Sequence, residues 1–272
     1  MKQTYKLHEV SSHINWLYFF HAWGFPSNYA SIADIHGCDA CRAMWLARFP
    51  EGERMKAAEA MQLFKEAQRM LNALDADFRT HAVFRLAEAN SEGNDLWLDG
   101  VRFPLLRQQT AKESGEPFLC LSDFVRPKAS GIPDKVGLFA TTVDAAMEQL
   151  YPDDAYKRML VQTLADRLAE ATAEKLQEET LPGLRPAVGY PSLPDQSVNF
   201  LLDELLDMKR IGIRLTENGM MRPHASVSGL MIAHPAAHYF SVGRIGNDQL
   251  ADYAARRGLP IEEMRKYLAT NI

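Results

Sequence analysis

The segment at residues 185–191, RPAVGYP, contains residue types that can bind a small ligand. Its two prolines fix the backbone, and Gly189 allows a ligand to approach the chain closely. Arg185 offers a charged fork and Tyr190 an aromatic face, which together suit a small zwitterion. The same residue types fit a rigid connector between helices equally well, so both interpretations stay open at this level.

The pair Tyr239-Phe240 and the earlier run at residues 226–229, SVSG, form a second candidate group. Tyr239 could present its ring or its hydroxyl to a ligand beside the edge of a sheet. A Tyr-Phe pair within a strand is more often part of the core, and from spacing alone the core is the favoured interpretation.

Cys38 and Cys41 have the C-x-x-C spacing of zinc sites and of thiol-redox sites. A structural zinc site needs four ligands, and the remaining cysteine, Cys120, is isolated in the sequence. We therefore expect no metal site, and we interpret the pair as small buried residues at the start of a helix.

Other common catalytic signatures are absent from the sequence. It contains no Walker loop, no G-x-G-x-x-G, no G-x-S-x-G and no H-E-x-x-H. Nucleotide hydrolysis, dinucleotide binding and acyl transfer therefore lack their usual residues, and we assign no catalytic residue, including among the eight histidines.

The composition predicts a globular protein that works in a reducing compartment. The net charge of -5 argues against a nucleic-acid partner, because phosphate contacts need clustered Lys and Arg. No stretch approaches the roughly 20 apolar residues that cross a bilayer, so we expect no membrane association. Three cysteines are too few for a disulfide framework, which favours a cytoplasmic location.

Hydrophobic periodicity predicts a mixed α+β fold in one compact unit over residues 1–272, helical up to about residue 78. Residues 14–20 are aromatic on all sides, so we expect them to be buried or to line a cleft. The predicted helices span residues 51–74, 154–179, 199–209, 248–257 and 261–268. The predicted strands span residues 82–89, 96–98, 101–103, 118–121, 136–143, 226–233 and 239–245, with Asp99-Gly100 as a hairpin turn.

Several segments, in order along nearly the whole chain, resemble the C-terminal activation domain of cobalamin-dependent methionine synthase. They are residues 14–16 (INW), 19–20 (FF), 106–110 (LRQQT), 121–125 (LSDFV), 130–131 (SG), 164–170 (LADRLAE), 185–191 (RPAVGYP), 215–217 (LTE), 225–229 (ASVSG), 234–235 (HP), 239–240 (YF), 248–249 (DQ) and 252–254 (DYA). One such match is weak, whereas the ordered set is highly specific. It raises the functional interpretation of Arg185 and Tyr239 above the alternatives left open by spacing.

The resemblance implies a single C-shaped α+β domain, with a twisted antiparallel sheet flanked by helices, that binds S-adenosylmethionine in a shallow groove. In that family the domain restores methylcobalamin after accidental oxidation to cob(II)alamin, using a methyl from S-adenosylmethionine and an electron from a flavodoxin-type donor. The chain carries none of the homocysteine, folate or cobalamin-binding modules. We therefore expect a component of methionine biosynthesis that acts in trans on a cobalamin-binding methionine synthase core.

The resemblance also implies which residues bind the ligand. Arg185 matches the family's arginine, whose guanidinium pairs with the methionyl carboxylate through two parallel hydrogen bonds. Glu170 matches an acidic residue that can meet the ligand's ammonium group. The remaining implied contacts are Ala187, Gly189, Tyr190, Tyr239 and Phe240.

Two departures from the family pattern predict a weaker site. Asn15 stands where the family has a ligand aspartate, and an amide cannot neutralise a cation. The connection at residues 180–184 is shorter than usual in the family, so we expect a more open groove. These departures keep one alternative open, a cap on a corrinoid methyltransferase that no longer binds S-adenosylmethionine. A role with another corrinoid methyltransferase also stays open, because cobalamin is common to all of these enzymes.

Overall fold

The computed structural model describes residues 1–110 and 115–272. The α-helices in this part are α1 (Leu7–Ser11), α2 (Trp16–Ala22), α3 (Asp39–Ala47), α4 (Arg54–Leu74), α5 (Ala155–Glu179), α6 (Val198–Leu206), α7 (Asn247–Arg257) and α8 (Ile261–Tyr267). The strands are β1 (Lys2–Lys6), β2 (Arg79–Glu92), β3 (Asp95–Leu98), β4 (Val101–Pro104), β5 (Asp134–Val143), β6 (Arg214–Leu215), β7 (Met221–Arg222) and β8 (Ser226–Ile232). Within these residues, no helix is both long enough and apolar enough to cross a membrane.

Six of the strands form one antiparallel sheet in the order β4-β3-β2-β5-β8, with β1 paired to the first part of β2. The register of β2 and β5 runs from Thr80 opposite Val143 to Ala89 opposite Asp134. The β-branched, apolar run predicted at residues 136–143 forms the interior of the sheet and is buried along its whole length. These observations confirm the α+β class and the antiparallel sheet.

Helices cover both faces of this sheet. Alternation along β5 sends Phe139 into a core shared with α4 and α5, and Leu138 into a second core shared with α6. The long helix α5 begins where the Asp154 side chain accepts a hydrogen bond from the Lys157 backbone N–H, at 3.0 Å. Four leucines that recur along this helix at multiples of four residues are all buried, namely Leu160, Leu164, Leu168 and Leu176.

The predicted hairpin is confirmed. Asp99 and Gly100 connect β3 to β4 with φ angles of 49° and 84°, the left-handed conformations that a two-residue turn of this type requires. Two other predicted strands are wrong. Residues 118–121 make an isolated bridge from Cys120 to Arg107 before a 3₁₀ turn at Leu121–Phe124, so they form no strand.

Residues 239–245 are the second wrong prediction, because they are irregular in the structure. Their backbone hydrogen bonds go to two separate segments, from Val242 N–H to the Pro191 carbonyl and from Ile245 N–H to the Asn271 carbonyl, each at 2.8 Å. A strand needs one continuous partner, which this segment lacks. Phe19 and Phe20 of α2 are fully buried, as expected, whereas Tyr18 is more than half exposed.

A buried polar network attaches helix α7 to the segment before α6. Asp195 accepts hydrogen bonds from the Tyr253 hydroxyl at 2.7 Å and from Arg257 Nη1 at 2.9 Å. Arg257 and Asp195 are almost completely buried, so each charge depends on the other for compensation. This network anchors the chain shortly after the segment that carries Arg185 and Tyr190.

Candidate functional site

Residues 184–188, which we call the Arg185 segment, lie along the outer edge of β8. The Leu184 N–H donates to the Ile232 carbonyl at 2.9 Å, and the Ile232 N–H donates to the Leu184 carbonyl at 2.8 Å. The Leu230 N–H donates to the Pro186 carbonyl at 3.0 Å. The segment is therefore held like a short additional strand, which fixes the backbone on both sides of Arg185.

Two glycines allow this close pairing. A Cβ on Gly229 would lie 2.2 Å from the Pro186 carbonyl oxygen, which is far inside van der Waals contact. Gly183 has a φ of 145° and its Cβ position is 2.4 Å from the Ile232 carbonyl oxygen. The site therefore requires the absence of a side chain at both positions.

The guanidinium of Arg185 is anchored on one face of α5. Its Nε donates to Gln177 Oε1 at 3.1 Å, Nη1 to Glu170 Oε2 at 3.4 Å and Nη2 to Glu174 Oε2 at 2.8 Å. The guanidinium lies over the Phe139 ring, 5.8 Å from its centroid, and the side chain is only 11% exposed. These contacts use three of its five N–H groups, so donors remain for a ligand.

Tyr190 joins this group through its hydroxyl, which donates to the second carboxylate oxygen of Glu170. Burial and the Glu170 carboxylate raise the pKa of Tyr190, so the hydroxyl stays protonated at neutral pH. We call the five side chains of Arg185, Glu170, Glu174, Gln177 and Tyr190 the Arg185 cluster. Within this cluster, Glu170 links Arg185 to Tyr190, because one of its carboxylate oxygens contacts each of them.

Tyr239 contacts the backbone of Arg185 on the side away from β8. Its hydroxyl donates to the Arg185 carbonyl at 3.2 Å and accepts from the Arg185 N–H at 3.3 Å. The side chain is 64% exposed, so its ring borders solvent beside the Arg185 segment. Tyr239 can therefore both position Arg185 and contact a ligand bound there.

Replacing Tyr239 by Phe is expected to reduce affinity for a ligand of the Arg185 cluster about fivefold and to leave global stability within ~1 kcal/mol. The variant loses two long hydrogen bonds that orient Arg185, while the ring remains. Ligand titration and urea unfolding measure the two effects. Tyr18→Phe, also exposed, is the matched control, and equal losses of affinity in both variants would contradict the positioning role.

A cavity of about 210 Å³ opens beside the Arg185 cluster. It lies between α5, the residues after Arg185, and β7 and β8. Its walls are formed by Asp166, Arg167, Glu170, Ala187, Val188, Tyr190, Gln196, Met220, Met221, His224, Ser226 and Val227. The cluster and the cavity together offer carboxylates, guanidinium groups and apolar surface at one place, which is the usual composition of a small-molecule site.

Comparison with known proteins assigns the chain to a family. The family model described as vitamin B12 dependent methionine synthase, activation domain, matches residues 6–258. The chain belongs to this family. A solved structure, the MetH reactivation domain bound to AdoHcy, is similar to the chain with 32% sequence identity and a TM-score of 0.85. The similarity covers 100% of this chain and 90% of that chain.

The activation-domain resemblance drawn from the ordered sequence segments is thus confirmed, and so is the fold it implied. The structure also brings most of the implied ligand residues to one place. Ala187 is buried, lines the cavity and bridges to Gly229, while Gly189 turns the chain with a φ of 85°. Phe240 is half-buried against Phe124, with ring centroids 6.3 Å apart, so it supports the site mainly by packing.

Asn15 lies elsewhere in this activation domain. Its side chain caps α2, accepting a hydrogen bond from the Leu17 N–H at 3.1 Å, and it lines a different depression together with Asn28. One turn along α2, the Tyr18 ring lies 5.8 Å from the guanidinium carbon of Arg167, which borders the cavity. The N-terminus of α2 therefore reaches toward the site without joining the Arg185 cluster.

Glu174 and Gln177 are site residues that the sequence reasoning missed. Their spacing carries a signal, because positions 170, 174 and 177 share one face of a helix. Once Glu170 is assigned to a site, the residues on the same face in the next two turns become candidates for that site.

Proposed function

We propose that the chain binds S-adenosylmethionine at the Arg185 cluster and presents its methyl group to cobalamin held by a methionine synthase core. The observation that carries the proposal is the Arg185 guanidinium, held between Glu170, Glu174 and Gln177 with N–H donors to spare. The AdoHcy bound by the similar solved structure is what S-adenosylmethionine becomes when it loses its methyl group.

The two charges of a zwitterion can take the places of the two partners in the existing ion pair between Arg185 and Glu170. The methionyl carboxylate takes N–H donors of Arg185, and the adjacent ammonium takes an oxygen of Glu170, which now faces Arg185 at 3.4 Å. Each buried charge keeps a partner through this exchange, so binding leaves no carboxylate or guanidinium uncompensated.

The charge of the site suits the rest of the ligand. Asp166, Glu170 and Glu174 provide three carboxyl groups at the cavity and cluster, against the two guanidinium groups of Arg167 and Arg185. S-adenosylmethionine carries two positive charges and one negative charge, so its net charge complements that excess of carboxyl groups. We therefore expect the site to bind S-adenosylmethionine more tightly than a methionine derivative that lacks the positive charge of the sulfonium.

The domain's own residues bind and orient the methyl donor rather than take part in bond making. Cobalamin, when bound by the core and reduced by an electron from a flavodoxin-type donor, supplies the nucleophile, and the sulfonium methyl is the electrophile. Arg185 and Glu170 hold the methionyl end of the donor, so the sulfonium is left to face the partner.

Titration of the protein with S-adenosylmethionine in a calorimeter tests the binding step, and saturable binding with one ligand per chain is expected. The partner step is tested with a methionine synthase core in the cob(II)alamin state and reduced flavodoxin. Loss of the cob(II)alamin absorbance is expected only when this chain and S-adenosylmethionine are both present. No ligand binding, or reactivation independent of the chain, contradicts the proposal.

A cap that has lost S-adenosylmethionine is the second candidate, and Asn15 is the observation that favours it. The structure uses Asn15 as a helix cap, and this position offers no acid to the ligand. A cap of this kind would bind the corrinoid protein with the same affinity in the presence and in the absence of S-adenosylmethionine, whereas a methyl donor domain would not.

Replacing Asn15 by Asp separates these candidates. Aspartate caps a helix as well as asparagine, so the free energy of unfolding is expected to stay within ~0.5 kcal/mol. Under the leading proposal the new carboxylate tightens S-adenosylmethionine binding about fivefold, or ~1 kcal/mol, because the position is exposed. Asn28→Asp, in the same depression, is the control. No measurable binding of S-adenosylmethionine in either the parent protein or Asn15→Asp favours the cap.

A further inference from the structure

Three metal-binding side chains converge at the start of α3. The side-chain ligand atoms of His36, Cys38 and Cys41 all lie within 4.8 Å of one another. The expectation that the cysteines are buried is wrong, because Cys38 is exposed and Cys41 is only partly buried. The C-x-x-C spacing indicates the two thiols, and the structure adds the imidazole of His36 to them.

The separation of these atoms is close to that of a zinc site. Tetrahedral zinc with Zn–S bonds of about 2.3 Å and Zn–N bonds of about 2.0 Å places its ligand atoms roughly 3.5–3.8 Å apart. A contraction of about 1 Å therefore brings the three atoms of His36, Cys38 and Cys41 into coordination. Side chains that are exposed, as in His36 and Cys38, or only partly buried, as in Cys41, can make such a movement by small rotations, without a change in the core.

The local backbone also prepares the site. The Cys38 sulfur accepts a hydrogen bond from the Cys41 N–H at 3.3 Å, which holds both cysteines at the first turn of the nine-residue helix α3. A helix N-terminus stabilises negative charge, and zinc binds cysteine as the thiolate. His36 precedes the cap by two residues, on the other side of the bend at Gly37.

We propose that His36, Cys38 and Cys41 bind one Zn²⁺ ion, with the fourth coordination position open to solvent. Two sulfurs and one imidazole nitrogen favour this ion over Mg²⁺ and Ca²⁺, which prefer oxygen ligands. Each thiol releases its proton to solvent as its Zn–S bond forms, so binding releases two protons. The bound ion ties residues 36–38 to α3. The site is separate from the Arg185 cluster and does not depend on it.

A disulfide between Cys38 and Cys41 is the competing use of the same thiols. It requires an oxidant and leaves the third converging ligand, His36, without a role. Zinc uses all three side chains, and for that reason the geometry favours the metal over the disulfide. The test below treats disulfide formation as an outcome that overturns the proposal.

Zinc titration of the reduced, metal-free protein against a chromogenic chelator tests the site. We expect one equivalent of Zn²⁺ to bind, with affinity falling roughly 100-fold or more in Cys38→Ser and in Cys41→Ser, and about tenfold in His36→Asn. Cys120→Ala, which removes the buried cysteine, and His21→Asn, which removes an exposed histidine, should keep the parent affinity.

Two further measurements show whether the ion is bound by these thiols. Co²⁺ in place of Zn²⁺ should give a thiolate-to-metal charge-transfer absorption that is about half as intense in metal-saturated Cys38→Ser, which keeps one of the two thiolates. Zinc should slow tryptic cleavage after Arg42, one residue beyond the second thiol, in the parent protein only. The proposal is overturned if no stoichiometric zinc binds, if both cysteine variants keep the parent affinity, or if thiol counting shows that the two cysteines oxidise in the presence of zinc.

Discussion

Replacing Arg185 by Ala is expected to weaken S-adenosylmethionine binding roughly 100-fold. In the proposed complex the guanidinium supplies the hydrogen bonds to the methionyl carboxylate, and two charge-assisted bonds of about 1.5 kcal/mol each account for that loss. The substitution also leaves the carboxylates of Glu170 and Glu174 on one helix face without their cation. Because Glu174 is half exposed and solvent screens it, we expect a stability loss of only ~1–2 kcal/mol, measured by urea unfolding.

Two variants accompany this measurement. Arg185→Lys keeps the charge but loses the planar fork, so an intermediate loss of about tenfold is expected. Arg158→Ala removes an arginine from the other end of α5, where it contacts the Pro152 carbonyl, and should leave binding unchanged. Calorimetric affinity of Arg185→Ala within threefold of the parent protein would show that the ligand does not bind this guanidinium.

Replacing Gly229 by Ala is expected to destabilise the protein by about 3 kcal/mol and to abolish measurable S-adenosylmethionine binding. The new Cβ would lie 2.2 Å from the Pro186 carbonyl oxygen and 2.9 Å from the Ala187 Cα, both backbone atoms. The hydrogen bond from Leu230 N–H to Pro186 O holds that backbone in place, so the contact can be relieved only by moving the Arg185 segment away from β8.

Urea unfolding and calorimetry measure these two effects. Gly52→Ala is the matched control, because a Cβ at Gly52 meets nothing within 4 Å and its backbone is not in the left-handed region. Its free energy of unfolding should stay within ~0.5 kcal/mol of the parent value. A stable Gly229→Ala protein with normal affinity would mean that the Arg185 segment can leave β8 without consequence for the site.

The parts of the fold that follow from local pattern could be predicted from the sequence. The leucine stripe of α5 and the apolar run of β5 each identify their element because burial repeats with the period of the structure. The strand β1 was missed because most of its residues are polar and exposed, and its pairing depends on β2. Residues 239–245 look like a strand but bond to two different segments, which no local pattern reveals.

The residues of the candidate site also divide into those that the sequence identifies and those that depend on tertiary packing. Residue types alone selected Arg185 and Tyr190 and made Tyr239 a candidate. The family resemblance was needed to favour a ligand contact over a core position for Tyr239, and to assign any role to Glu170. The roles of Glu174 and Gln177 depend on how α5 is rotated against the sheet, which is a property of tertiary packing. His36 was missed for a related reason, since its approach to the two cysteines depends on the bend at Gly37.

The pairing of residues 184–188 with β8 has a consequence for how the protein behaves in solution. β8 is the last strand of the sheet, and exposed terminal strands can recruit a second chain and start aggregation. Here the Arg185 segment occupies backbone groups of Leu230 and Ile232 that would otherwise be open to another molecule. The residues that we propose to hold the ligand therefore also cover this edge of the sheet, which restricts how far evolution or engineering can lengthen or loosen this loop.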